Sequence, residues 1–129
     1  MNAHDVLTQV NSDINHGSPY ETEVVDDWTP AVPGQGSDCD SYATAKAQAL
    51  FDRGWSVLDM RLATCWVIPG DTTSYHCVLL VDMGGQTWVL DNRQPLPIEF
   101  QLLNYAWHRF QVAGTQKWVY AQQFMDGLK

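Results

Sequence analysis

Three residues have types and an order that could do nucleophilic chemistry together: Cys39, His76 and Asp91. Cys39 stands where the glycine-rich approach Gly34-Gln35-Gly36-Ser37-Asp38 meets the alanine-rich run Ser41-Tyr42-Ala43-Thr44-Ala45-Lys46. Ser37 and Asp38 are both good N-cap types, and Ser37 with Asp40 has capping-box spacing. The spacing therefore predicts a helix that runs to about Arg53 and stops at Gly54. A cysteine in the first helical turn lies beside free backbone N–H groups and the positive end of the helix dipole. A thiol so placed typically has its pKa lowered to roughly 3.5–7.5, which makes it a thiolate nucleophile. Taken alone, the stretch suits a buried structural cysteine equally well.

A thiolate needs an imidazole as its proton partner, and the imidazole needs an acceptor on its other nitrogen. His76 opens the apolar run Cys77-Val78-Leu79-Leu80-Val81, and Asp91 closes Thr87-Trp88-Val89-Leu90. Each has a commoner role, the histidine as a satisfied core or surface residue and Asp91-Asn92 as a turn. Their register decides whether they can meet. If Gly84-Gly85 is a two-residue primed turn, Met83 faces Gln86, Val78 faces Asp91, and Asp91 becomes the same-face diagonal neighbour of His76. A three-residue turn puts Asp91 on the Cys77 face instead. Cys65 and Cys77 have no acid–base context and read as core residues. With three cysteines and no C-x-x-C, neither a disulfide framework nor a zinc knuckle is indicated. His4, His16 and His108 belong to no constellation and read as surface residues.

The elements that must position these residues follow from the apolar pattern. Val6, Leu7, Val10 and Ile14 make an amphipathic helix over residues 4–15, ended by Gly17-Ser18-Pro19. Residues 20–38 read as an ordered connection tied down by Tyr20 and Trp28. Residues 57–68 read as one strand or two short ones, and Tyr75–Val81 and Gln86–Leu90 as strands of a hairpin. Phe100–Trp107 suits a short helix or a strand, and Lys117–Phe124 a strand or a helical turn. Helices first and clustered strands after them argue an α+β fold. Residues 1–129 read as a single domain, and 45 % hydrophobic content with six Trp supports a packed core.

The net charge is −8, no Lys or Arg precedes Lys46, and eight of the fifteen acids fall within the first forty residues. Phosphate binding wants a basic face, so nucleic acid is not the expected partner. No stretch is long enough to span a bilayer, and the first residues carry neither a basic n-region nor an apolar h-region. As given, the sequence reads as a soluble, cytoplasmic chain, or a periplasmic one if it is a mature fragment.

The order Asp27-Trp28-Thr29-Pro30, Gly36-x-Asp38-Cys39-Asp40-x-Tyr42-Ala43-x-Ala45-Lys46, Met60-Arg61-Leu62, His76-x-Val78-Leu79-x-Val81 and Val89-Leu90-Asp91-Asn92 resembles the bacterial transglutaminase-like cysteine proteinases. Val10-Asn11 and Ile14-Asn15 resemble that family's first helix. Its periplasmic members clip large adhesins from the biofilm surface. The resemblance implies a papain-like, transglutaminase-core fold, with a Cys-bearing helix packed on an antiparallel sheet that carries His and Asp. It implies Cys39 as nucleophile, His76 as general base and acid, Asp91 as orienting acid, and acyl transfer to water through a thioester. It also implies a calcium site near Asp38 and Asp40, although Ser41 stands where family members commonly carry a further acid. Glu21, Glu23, Asp26 or Asp27 could add oxygens, and the same acids could instead cap the helix and solvate a loop.

The expected function is hydrolysis of peptide or amide bonds in a protein or peptide substrate, with no cofactor required; any calcium bound near Asp38 and Asp40 would serve order, not chemistry. An acyl-transferase or deamidase would use the same three residues. A non-catalytic binding module, of phage or mobile-element origin, would keep the fold without the chemistry. Oligomeric state is open.

Overall fold

The computed structural model describes residues 2–16 and 37–122, with side chains from Tyr42 onward in the second stretch. Asn2 starts the first helix, α1 (Ala3–Asn15). Its side chain accepts from Asp5 N–H at 2.9 Å while its own N–H donates back to the Asp5 carboxylate, a reciprocal capping box. Leu7, Val10, Asn11 and Ile14 recur at helical spacing and are buried.

The second helix, α2, runs Ser37–Asp52. Ala43, Ala45, Ala47 and Ala49 are all buried, so small side chains let the helix be enclosed on several faces at once. It ends as expected at Gly54, whose φ is +89°. Gly54 N–H donates to Phe51 O and Trp55 N–H to Leu50 O, the paired bonds of a Schellman motif. Arg53 reaches back to Ala49 O at 3.1 Å, a cation on the last carbonyls.

Six strands follow: β1 (Met60–Trp66), β2 (Tyr75–Met83), β3 (Gln86–Leu90), β4 (Ile98–Glu99), β5 (Ala106–Gln111) and β6 (Trp118–Tyr120). They form one antiparallel sheet in the order β4-β3-β2-β1-β5-β6. Residues 57–68 thus hold a single strand, preceded by a 3-10 turn over Val57–Asp59. Phe100–Trp107 divides between both readings: Phe100–Leu102 is a 3-10 turn, and Ala106 begins β5. Lys117–Phe124 contains β6, with residues beyond Gln122 outside the described ones.

Side-chain alternation gives the sheet two apolar faces. Met60, Leu62, Cys77, Leu79, Val81 and Leu90 pack in one cluster with α1 and α2. Ala63, Val78, Leu80, Val89 and Phe110 form the other cluster, with Phe100, Leu103 and Trp107 against it. The architecture is α+β, two helices and an antiparallel sheet.

Candidate active site

The β2–β3 hairpin decides the site. Gly84 and Gly85 have φ of +64° and +80°, the geometry of a two-residue primed turn. Met83 accordingly pairs with Gln86, Asp82 with Thr87, and the ladder continues to Leu79 opposite Leu90. Continued by one residue, that register sets Asp91 opposite Val78. The paired ladder ends at Leu90, and Asp91 follows it directly.

The two side chains meet. His76 Nε2 lies 2.7 Å from Asp91 Oδ1. Asp91 is 0 % exposed and His76 7 %. His76 is the second residue of β2, so the pair stands at one end of the sheet, with Cys65 of β1 directly opposite His76.

A carboxylate out of water must have its oxygens satisfied. Asp91 Oδ1 also accepts from Arg93 N–H at 2.8 Å, and Oδ2 accepts from the Tyr105 hydroxyl. Burial pushes this carboxyl up. The His76 and Tyr105 hydrogen bonds, the His76 charge and the Arg93 N–H together outweigh it and hold the group below its usual value. Asp91 is thus an anion built to receive a proton donor on Oδ1.

The backbone under Asp91 is tied to α1. Asn15 Nδ2 donates to Asp91 O at 3.0 Å and to Gln94 O at 3.2 Å, while Asn11 Nδ2 donates to Gln94 O at 3.0 Å. Gln94 N–H closes the same turn onto Asp91 O. α2 passes the site as well. Lys46 is 0 % exposed, and its Nζ has no hydrogen-bond partner among the described residues. Burial brings its amine down to about 7, opposed by the Asp91 charge.

Of the expected site residues, the structure joins His76 and Asp91. Cys39 belongs to the first turn of α2, its third residue, but its side chain and those of Asp38 and Asp40 lie outside the described ones. So do Glu21, Glu23, Asp26, Asp27, Trp28 and the Ser37–Asp40 capping box. Cys65 and Cys77 are both buried, as expected of core residues. His108 differs from its expectation as a plain surface residue: Tyr75 Oη and His108 Nδ1 are 2.7 Å apart, and its ring lies 4.6 Å from that of Trp66. The β1–β5 pairing brings it there.

Tyr105, Lys46, Asn11 and Asn15 join the site without having been assigned to it from the sequence. Asn11 carried a readable signal, a polar residue at the i+4 position from Leu7 on an apolar face. Lys46, seven residues after Cys39, likewise falls on the cysteine's side of α2. Tyr105 lies in the stretch that suited helix and strand alike and had no such signal.

Legionella pneumophila LapG in its calcium-bound form superposes with a TM-score of 0.66 at 19 % identity, covering 94 % of this chain and 70 % of LapG. LapG without that designation gives 0.64 at 20 %, covering 96 % and 72 %. The EGTA-treated form gives 0.60 at 19 %, covering 95 % and 74 %. No curated protein matches the chain. At such identities these likenesses speak for the fold. The family comes from the sequence itself, because the model of the bacterial transglutaminase-like cysteine proteinases (BTLCP) matches residues 1–125. With that match spanning nearly the whole sequence and a His–Asp pair buried in the fold, the chain belongs to the bacterial transglutaminase-like cysteine proteinases.

Proposed function

We propose that this cysteine proteinase hydrolyses peptide or amide bonds of a protein substrate through a thioester on Cys39, with His76 as base and acid and Asp91 as orienter. The observation that carries the reading is the buried 2.7 Å contact between His76 Nε2 and Asp91 Oδ1. With Nε2 engaged by the carboxylate, Nδ1 is the nitrogen that takes the Cys39 proton. The thiolate then attacks the carbonyl carbon, and the Cys39 backbone N–H at the start of α2 contributes to the oxyanion hole. His76 returns the proton to the leaving amine. It next takes one from water, which attacks the thioester carbonyl and releases the acid. Residues 1–129 act in this reading as one domain. No helix among the described residues is long and apolar enough to cross a membrane.

Iodoacetamide labelling between pH 5 and 8 tests the nucleophile. Cys65 and Cys77 are 0 % and 1 % exposed, so they serve as internal slow thiols. One fast thiol, lost in Cys39→Ala, is the expected result; three sluggish thiols would leave a binding module. Cys39→Ala and His76→Ala should each abolish hydrolysis with the fold retained. Incorporation of a labelled amine in place of water would move the assignment to acyl transfer.

Calcium enters as the LapG structures do, one bound to calcium and one treated with EGTA. Asp38 and Asp40 supply the hard carboxylate oxygens that suit this ion, and they flank Cys39 in sequence. Among the described residues, no group of three or more His, Cys, Asp or Glu could hold a metal. Our reading is a weak site that orders the start of α2 and takes no part in the bond-breaking steps. A thermal melt with calcium and with chelator tests it: a small upward shift fits, and a large one would make the ion a structural requirement.

A further inference from the structure

We propose that Tyr105 is a positioning residue of this centre, its hydroxyl holding Asp91 Oδ2 so that Oδ1 stays turned toward His76 Nε2. The proposal rests on the hydrolase reading above for its consequence in catalysis, though its geometry stands without it.

A carboxylate rotates about a soft torsion, so donors on one oxygen alone leave its plane loosely set. His76 Nε2 and Arg93 N–H both act on Oδ1. Tyr105 acts on Oδ2 and so fixes the second point that defines the plane. It also supplies a partner to an oxygen that burial has cut off from water, where an unsatisfied acceptor would be costly. The phenol is itself well supported. Tyr105 immediately precedes β5, and its ring lies 5.7 Å from that of Trp107, which in turn lies 4.7 Å from Phe100 and 5.6 Å from Phe110. Burial first, then the hydrogen bond and charge of Asp91, raise the phenol's pKa, so it remains a proton donor across the working range.

Among the described residues, the groups acting on Asp91 come from several elements. β2 presents His76, α2 presents Lys46, the following turn presents Arg93 N–H, and α1 presents only the uncharged Asn15, to the backbone. Tyr105 is the one side-chain donor to Oδ2 among the described residues, and its hydroxyl also hydrogen-bonds the Gln94 side chain.

The experiment follows the Asp91 side-chain carboxyl carbon by NMR through an acid titration, alongside kcat and KM on a cleaved peptide. Tyr105→Phe keeps the ring and removes the donor. The Asp91 midpoint should rise by about one pH unit, and kcat should fall about tenfold with KM little changed. Site-specific 3-fluorotyrosine at 105 keeps the bond with a more acidic phenol, and should move the midpoint down and hold kcat near the wild-type value. An Asp91 midpoint identical in all three proteins, each with a cooperative thermal melt, would overturn the positioning role. A wild-type protein that cleaves nothing would overturn the hydrolase reading instead, and the titration would still decide the Tyr105 contact.

Discussion

His76 and Asp91 are fifteen positions apart in sequence and 2.7 Å apart in space because Gly84 and Gly85 both adopt positive φ. A turn of that type returns β3 along β2 in even register as far as Leu79 opposite Leu90, and so brings Asp91 back to the start of β2, where His76 lies. A Cβ at either glycine would meet nothing within 4 Å, so the constraint is conformational. Gly84→Val and Gly85→Val should each cost about 1–2 kcal/mol from backbone strain. Urea denaturation of the two variants reads this directly, and unchanged midpoints would mean that the turn tolerates ordinary residues.

Asp91→Asn should leave a residual activity about 10²–10⁴-fold below that of the wild type. The amide keeps the shape but offers His76 a different acceptor and alters tautomer control, while the thiol stays in place. Single-turnover kinetics on Asp91→Asn against His76→Ala would separate the roles. Equal loss in both would make Asp91 as indispensable as the base itself.

Lys46 predicts an alkaline gain in stability. Its amine is lowered to about 7 by burial, from an unfolded value near 10.5. Between these limits the unfolded chain binds a proton that the folded chain does not, so stability rises with pH across this window. The penalty is fully present below pH 7 and gone above about pH 10.5. Lys46→Met should remove that slope and be neutral or stabilising at pH 6, because it replaces a buried cation, without a hydrogen-bond partner among the described residues, with an apolar chain of similar volume. The difference in unfolding free energy between the two proteins at pH 6 and pH 9 measures it. A parallel pH profile in both would show that the amine reaches water.

Asn15→Ala should loosen the turn beneath Asp91 and lower stability by about 1–2 kcal/mol, since it removes donors to two backbone carbonyls. Asn11→Ala, with one bond to Gln94 O, should cost less. Amide hydrogen exchange at Gln94 and Arg93 should quicken in Asn15→Ala. Exchange at Val89 and Leu90, inside the ladder, should not change.

The short-range features were legible because neighbours along the chain cause them. Apolar spacing marked α1, glycine at C′ ended α2, Gly84-Gly85 set the hairpin register, and strand alternation sent Cys77 into the helix-side core. Those same rules were enough to bring Asp91 back beside His76, and the ordered motifs around Cys39 were enough to suggest the family. Tertiary structure alone decided what surrounds the pair. Phe100–Trp107 has no clear period, and only pairing of β5 with β1 commits its end to a strand and delivers Tyr105 to Asp91. Asn11 and Asn15 meet carbonyls 76 to 83 residues away, which no local propensity can specify. Lys46 was legible only as part of an alanine-rich helix. It is buried because alanines on several faces of α2 let sheet and helix close around it, and enclosure from several sides belongs to the packed molecule.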